Sequence, residues 1–235
     1  MITNDSGKNN QSLTKDIIKK TYEGLVQSIT GLTTASKKEL FFSVSRILQN
    51  IRATNLLSLL LKEWEYWKDK GKIKEDYHTT EQHLNCLHEL LEFLDKDIPD
   101  ELRFNTLKKI LLIAASEKIS SRDDILPQQF MRICRSLSSG GMIVLSTAYD
   151  LAKKYNYNYK EPSDAYNWLR IIAENSPLKF SSLVELHENN LMELKLISGR
   201  THSDRSGIQF GSRFRLTDLG LDFCKYIETY DSIKP

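Results

Sequence analysis

The stretch "FRLTDLGLDF", residues 214–223, indicates the fold of the last hundred residues of the chain. Apolar and polar residues alternate up to and into this stretch, as in a strand with one buried face. The apolar side holds Ile208, Phe210, Phe214 and Leu216, and the other side holds Gln209, Arg213 and Arg215. Thr217 then predicts a helix cap, with Asp218 at the positive end of the helix dipole. We therefore expect a basic strand that runs into the final helix.

Three predicted helices precede this strand. A serine hydroxyl in "SSGG", residues 138–141, can cap a helix over residues 142–155, and a polar loop leads to a second helix over residues 165–175. Ser181 or Ser182 predicts the cap of a third helix, which ends near Leu194, and two strands follow. Three helices, a hairpin and a closing helix form the order of a winged helix-turn-helix. We expect this domain over residues 138–235, with the β-hairpin as its wing.

The first half of the chain has the helical period, with apolar residues every three or four positions. One stripe comprises Ile17, Ile18, Tyr22, Leu25, Val26 and Ile29; a second comprises Leu40, Val44, Ile47, Leu48 and Ile51; a third comprises Leu84, Leu87, Leu91 and Leu94. Each stripe gives a helix one face to bury. We expect a helical bundle over residues 13–137, preceded by a polar, disordered arm over residues 1–12. The predicted fold class is mostly α.

The overall composition excludes several classes of protein. The 33 basic residues nearly balance the 31 acidic ones among 235 residues, so any electrostatic partner must be bound by a local patch. The three cysteines show no CxxC spacing, which argues against a disulfide framework and fits a cytoplasmic protein. The longest apolar runs are far shorter than the roughly 20 residues of a membrane-spanning helix. We expect no membrane partner.

Two stretches raise the question of a chemical site. In "HTTEQHLNCLH", residues 78–88, His83 and Cys86 can share a helix face, but His88 points elsewhere, so we predict no metal site. "KEWEYWKDKGKIKEDY", residues 62–77, mixes aromatic rings with both signs of charge, which favours packing of Trp64 and Trp67 on the bundle over stacking on nucleic-acid bases. The sequence contains no GxSxG, HExxH, GxGxxG or P-loop pattern. We expect no catalytic residue, no cofactor and no enzymatic activity.

The third helix of the winged helix-turn-helix is the usual reader of DNA. A helical projection places its apolar face at Leu183, Val184, Leu191 and Leu194, with Leu186 at its margin and His187 inside that cluster. Its outward face comprises Glu185, Glu188, Asn189, Met192 and Glu193. The outward face is therefore predicted to be acidic, which opposes binding to phosphates. The cations lie further on: Lys195, Arg200, Arg205, Arg213 and Arg215, against Asp204 alone. We predict a dipolar surface, with an acidic helix beside a basic wing.

Two functions fit such a surface. We favour docking on an unidentified protein partner, because opposite charge lobes give register and recognition. The alternative is a DNA-binding regulator that grips phosphates or the minor groove through its wing, with low sequence specificity. A hairpin without any ligand also fits the pattern. The candidate binding residues are Arg200, Arg205, Arg213, Arg215, Glu185, Glu188, Asn189 and Glu193. The sequence leaves the oligomeric state open.

Four segments together resemble the Abi-alpha family of bacterial proteins. The first two are "DELRFNTLKKILLIAASEK" (100–118) and "ILPQQFMRICRSLSSGGMIVL" (125–145); the last two are "LVELHENNLMELKLI" (183–197) and "FRLTDLGLDFCKYI" (214–227). The similarity covers roughly residues 84–228 and rests on hydrophobic patterns. It implies a bacterial or mobile-element protein associated with abortive phage infection, and it brings no catalytic residues with it.

Overall fold

The computed structural model of the chain describes residues 42–97, 100–116, 125–155, 162–204, 207–210 and 213–235. At residues 79, 162–166, 201–204, 207–210 and 213 the description is confined to the backbone. The predicted arm over residues 1–12 and the first predicted stripe, at residues 17–29, lie outside the described residues.

The chain divides into two compact units. One comprises Met1–Met131 with Ile233–Pro235, and the other comprises Arg132–Ser232. The division falls within the helix Leu126–Ser136, a few residues before the predicted boundary at Ser138. Each unit has its own set of buried side chains.

The first unit is helical throughout most of its described length. Residues 42–47 are helical, and α1 (Ile51–Asp69), α2 (Glu81–Lys96), α3 (Glu101–Ala115) and the start of α4 (Leu126–Ser136) follow. A 3-10 turn, Tyr77–Thr79, precedes α2. Asn50, Thr80 and Asp100 cap α1, α2 and α3 by accepting hydrogen bonds from backbone N–H groups of the first turn. Polar residues at the junctions therefore determine where these helices begin.

The core of the first unit forms where α1, α2 and α3 pack against one another. Buried side chains include Leu57, Leu60, Trp67, Leu87, Leu90, Leu91, Phe93, Leu94, Phe104, Leu107 and Ile110. Trp67 is fully buried, and Trp64 packs against the cluster of Tyr77, Ala114 and Ala115. The prediction that both tryptophans pack on the bundle is confirmed.

One predicted stripe is divided in the structure. The pattern from Leu40 to Ile51 predicts a single buried face, and Val44 and Ile47 are buried as expected. However, the helical stretch ends at residue 47, a turn follows, and Asn50 starts α1 as a new helix. The change of direction leaves Ile51 77% exposed. The placement of Ile51 on the buried stripe was therefore wrong, because periodicity alone does not reveal the intervening cap.

The second unit contains helices followed by a short hairpin and a closing helix. Its complete elements are α5 (Ser139–Lys154), α6 (Pro162–Glu174), α7 (Ser181–Glu193), β1 (Thr201–Asp204), β2 (Gly207–Phe210) and α8 (Asp218–Ile233). The cap predicted within "SSGG" is confirmed, and the capping residue is Ser138, which accepts from the Gly141 N–H at 3.0 Å. Thr217 caps α8 in the same way, from the Gly220 N–H at 3.0 Å. The predicted serine cap of α7 is wrong: its N-cap is Phe180, and Ser181 is the first helical residue.

The hairpin is shorter than the sequence pattern suggests. β1 and β2 are antiparallel, with Thr201 opposite Phe210 and Asp204 opposite Gly207. Strand pairing ends at Phe210, and Arg213–Arg215 forms a 3-10 turn with left-handed backbone at Phe214 (φ 52°) and Arg215 (φ 69°). The prediction that one alternating strand continues to Leu216 was wrong, because left-handed residues break the alternation of faces.

The buried side chains of the second unit connect its helices to the base of the hairpin. α7 packs against both α5 and α6, and the 3-10 turn packs against α5. A single antiparallel bridge joins Ile197 to Leu216, and α8 begins immediately beyond it. Gly220, in the first turn of α8, lies so close to this bridge that a Cβ atom there would come within 2.0 Å of the Leu196 carbonyl oxygen. This close approach requires glycine at position 220.

The predicted mostly α class is confirmed for the described residues. Within those same residues, no helix combines the length and the apolar character needed to span a bilayer.

Candidate functional site

The face that α7 buries differs from the face that was predicted. Val184 and Leu191 are buried as expected, but Glu188 is only 4% exposed, whereas Leu186 is 69% exposed. Positions 184, 188 and 191 follow the spacing i, i+4, i+7, so they lie on one face of the helix. The assignment of Glu188 to the outward face was wrong, and its spacing from Val184 and Leu191 was the signal that could have revealed this.

Glu188 is buried because it is paired with a buried arginine. Its Oε1 atom accepts a hydrogen bond from Nη1 of Arg215 at 2.5 Å, and the Arg215 residue is only 1% exposed. The alternating pattern had placed Arg215 on the outer side of the strand. That placement was wrong, because the left-handed backbone at Phe214 and Arg215 turns the arginine inward.

Other groups satisfy the rest of the Arg215 guanidinium. Its Nε and Nη2 atoms donate to the carbonyl oxygen of Ser198, at 2.9 and 2.6 Å. Its Cζ atom lies 4.4 Å from the centroid of the buried Trp168 ring, a cation–π arrangement. Trp168 also donates from Nε1 to the Phe214 carbonyl oxygen at 3.1 Å. The arginine therefore joins α6, α7 and the base of the hairpin.

Arg200 forms the outer layer of the same network. It donates to both oxygens of Glu188, at 3.0 Å from Nε and 2.6 Å from Nη2. Nη2 also donates to Oε1 of Glu185 at 3.1 Å. Two arginines and two glutamates thus form a four-residue ion-pair network, which we call the α7 clasp (Glu185, Glu188, Arg200 and Arg215).

The pKa values in the clasp follow from burial and pairing. Burial by itself would raise the pKa of Glu188, but hydrogen bonds from Arg200 and Arg215 hold the pKa of this carboxyl below its ordinary value. Hydrogen bonding to Glu188 raises the pKa of Arg200. Burial lowers the pKa of Arg215, and its pairing with Glu188 opposes that shift. Glu188, Arg200 and Arg215 are therefore ionised together at neutral pH.

The predicted division into an acidic helix and a basic wing is not what the structure contains. Glu185 and Glu188, from the predicted acidic helix, form ion pairs with Arg200 and Arg215, from the predicted basic wing. These four charges therefore neutralise one another. Asn189 and Glu193 are exposed on α7 as predicted. The side chains of Arg205 and Arg213 lie outside the description.

The exposed side of α7 carries apolar residues that the projection had assigned to the core or its margin. Leu183 and Leu186 are exposed, and Phe180, the residue before the helix, is also exposed. Phe180, Leu183 and Leu186 follow one another at intervals of three positions. Because three residues are less than one full helical turn, each successive side chain lies further from the buried face of Val184 and Leu191. Ser182, Glu185, Asn189 and Glu193 complete this exposed side. We call these seven residues the outer α7 face.

His187 lies half-buried between α7 and the start of α5. Its Nδ1 atom is 3.0 Å from Oγ of Ser138, and its ring fills the space where a Cβ on Gly140 would sit, 2.0 Å from Nε2. Burial lowers the pKa of His187. The Ser138 hydroxyl already accepts from the Gly141 N–H as a helix cap. The first glycine of "SSGG" therefore makes room for a packed histidine, and the serine acts as the predicted cap.

The stretch from His78 to His88 separates into buried and exposed residues. His83 and Cys86 are buried on α2, while His78 and His88 are exposed. Across the described part of the chain, no group of three or more His, Cys, Asp or Glu side chains is arranged to hold a metal ion. The burial of Cys86 also raises the pKa of its thiol to about 12. A reactive thiolate is therefore not favoured at this position.

Comparison with known proteins returned no matching family model, no matching curated protein and no matching solved structure. The resemblance to the Abi-alpha family stays a prediction from the sequence.

Proposed function

We propose that the second unit is a winged-helix module that docks on a protein partner through the outer α7 face. The order of its elements supports the winged-helix assignment, because three helices lead into an antiparallel hairpin and a closing helix. α7 is the third of these helices and packs on the other two. In winged helices this element is normally the one that contacts the target.

The observation that carries the proposal is the chemistry of α7. Residues 181–193 contain three glutamates and neither lysine nor arginine. The outer α7 face combines exposed leucines with the carboxylates of Glu185 and Glu193. A DNA reader needs cations near the phosphates, whereas exposed apolar residues with a polar rim are typical of a protein-binding surface. The α7 clasp also favours a protein partner over DNA, because Arg200 and Arg215 already form ion pairs with Glu185 and Glu188 within the unit.

The proposed partner has a complementary surface. Apolar side chains would cover Leu183 and Leu186, and basic side chains would face Glu193 and the exposed part of Glu185. We propose a binding role without catalysis. A place in phage defence rests on the resemblance to the Abi-alpha family.

Replacing Leu186 with glutamate tests the docking face. Leu186 is 69% exposed, so the substitution leaves folding intact while it removes an apolar contact at the centre of the outer α7 face. In affinity capture from the native host, the unaltered chain should retain a partner that binds the Leu186→Glu variant at least tenfold more weakly. This factor corresponds to a loss of about 1.4 kcal/mol or more of binding free energy. The purified partner should then show the same loss in a binding titration.

Leu219→Glu is the matched control, since Leu219 is an exposed leucine on α8 of the same unit. It should retain the partner at full strength. Equal capture by the unaltered chain and by both variants would contradict docking through α7.

Duplex binding through the hairpin is the second candidate, because five cations stand against one carboxylate over residues 195–215. We expect no binding to an arbitrary duplex in fluorescence anisotropy at low salt. If Arg205 and Arg213 alone contacted phosphates, log affinity would fall against log salt with a slope of about −1.8, and four free arginines would give about −3.6. Either slope would favour DNA over a protein partner.

A further inference from the structure

His83 lies in a closed environment at the start of α2. It is 2% exposed, and its two buried ring nitrogens have no hydrogen-bond partner among the described residues. The Trp64 ring of α1 and the Tyr77 ring of the 3-10 turn lie against it, with ring centroids 5.4 and 5.2 Å away. Glu63, next to Trp64 in the sequence, forms an ion pair with Lys108 of α3. The groups that face the imidazole from α1 and the turn are therefore uncharged aromatic rings.

The charges around His83 oppose its protonation. His83 is the third residue of α2, where the positive end of the helix dipole disfavours a cation. The charge of His78, on the 3-10 turn, also lowers the pKa of His83. Lys74 holds its ammonium over the Tyr77 ring, 5.9 Å from the centroid. Glu81, the acidic residue in the first turn of α2, is exposed. An imidazolium at this position therefore needs access to water.

The connection between α1 and α2, residues 70–80, covers His83, and we call it the α1–α2 latch. Ile73 joins the end of α3 through an isolated antiparallel bridge to Ser116. The Lys74 N–H donates to the Ala115 carbonyl oxygen at 3.1 Å. Short contacts of this kind open at a lower free energy than helices that are buried along their length.

The latch is also connected directly to His83. Tyr77 packs against Ala114 on one side, and the His83 ring lies against its edge. The Thr80 hydroxyl donates to the Tyr77 carbonyl oxygen at 2.7 Å and accepts from the His83 N–H at 3.1 Å. A change at His83 therefore acts first on the latch.

We propose that protonation of His83 opens the α1–α2 latch while α1, α2 and α3 stay folded. Displacement of Tyr77 brings water to the imidazolium and breaks few contacts, whereas access through α1 or α2 would separate packed helices. Opening exposes the rings of Trp64 and Tyr77. The latch is thus an acid-dependent switch within the first unit.

The direction of the pH dependence follows from the burial of His83. Burial, with a smaller effect of His78, lowers the pKa of His83 from 6.5 to about 4 when the latch is closed. In the open latch the ring is hydrated, and its pKa returns to its ordinary value. The contribution of His83 to closure is therefore complete above pH 6.5 and is lost as pH falls toward 4. The equilibrium constant for opening should rise about twentyfold between pH 7 and pH 5.

Amide hydrogen exchange in the full-length chain tests the switch, with rates at pH 7 and pH 5 corrected for intrinsic exchange. The reporters are the N–H groups of Lys74, Tyr77 and Thr80, which donate the hydrogen bonds of the latch. The reference amides are those of Leu90 and Ile110, which are buried within α2 and α3. We expect the reporters to open at a lower free energy than the reference amides and to lose about twentyfold of their protection at pH 5.

Two variants show whether His83 is the group that titrates. His83→Phe should remove the pH dependence of the reporter amides, because phenylalanine keeps the aromatic contacts and binds no proton. His88→Phe, at an exposed position on the same helix, should retain it. The proposal is overturned if the reporters open only at the free energy of Leu90 and Ile110, if their protection is the same at both pH values, or if His83→Phe keeps the pH dependence.

Discussion

Arg215 occupies a position that would be unfavourable for a charged residue without compensation. Its guanidinium is surrounded by the Glu188 carboxylate, the Ser198 carbonyl and the face of Trp168, so hydrogen bonds and a cation–π contact replace its hydration. Neither the Arg215 guanidinium nor the Glu188 carboxylate would be stable in this buried position without the other. The arginine and the glutamate are therefore a unit, although 27 positions separate them in the sequence.

His83 shows the opposite situation. It is buried on α2, its two ring nitrogens have no hydrogen-bond partner among the described residues, and it packs between Trp64 and Tyr77, with ring centroids 5.4 and 5.2 Å away. Burial, with a smaller effect of His78, lowers the pKa of His83 from 6.5 to about 4. The folded state therefore holds this ring neutral.

We predict that protonation of His83 makes the chain acid-sensitive. Its folded pKa lies below its unfolded pKa, so its stability contribution is complete above pH 6.5 and is lost as pH falls toward 4. The free energy of unfolding should fall by about 2 kcal/mol between pH 7 and pH 5 because of this residue. Urea unfolding of the full chain at the two pH values measures the difference.

His83→Phe should remove most of that pH dependence, because phenylalanine fills the same aromatic contacts without a proton to bind. His88→Phe, at an exposed position on the same helix, should leave it unchanged. A His83→Phe chain that lost as much stability on acidification as the unaltered chain would contradict the assignment.

At the scale of the element, α7 is oriented by a polar network as well as by apolar contacts. The helix offers two alternative apolar rows, one through Val184 and Leu191 and one through Leu183 and Leu186. The first row is buried because Glu188, on the same face, meets Arg215 from the base of the hairpin. Leu183 and Leu186 are left outside as a consequence.

We predict a large difference between two glutamates on this helix. Glu188→Ala leaves the buried Arg215 charge without its carboxylate, so the free energy of unfolding should fall by about 3–5 kcal/mol. Glu185→Ala removes one exposed contact with Arg200 and should cost less than about 1 kcal/mol. Thermal or urea unfolding distinguishes the two.

The double variant Glu188→Ala with Arg215→Met is the control for this pair. Because it removes both charges, it should recover much of the stability lost by Glu188→Ala alone. Additive losses in the double variant would show that the two residues do not act as a pair.

At the scale of the whole molecule, the chain consists of two units with different organisation. The first is a set of capped helices with an apolar core, and the second adds a short hairpin joined to its helices by the α7 clasp. The proposed docking surface lies in the second unit.

The mostly α class and the caps in "SSGG" and at Thr217 could be predicted from the amino-acid sequence, because helical periodicity and capping depend on residues only a few positions apart. The buried row of α7, the inward position of Arg215 and the pairing of the arginines with the glutamates could not be predicted in this way. Those outcomes depend on contacts between residues distant in the sequence and on left-handed backbone at Phe214 and Arg215. Neither the long-range contacts nor the left-handed backbone produces a local sequence pattern. A charged side chain is stable in a core only when an oppositely charged partner is buried beside it.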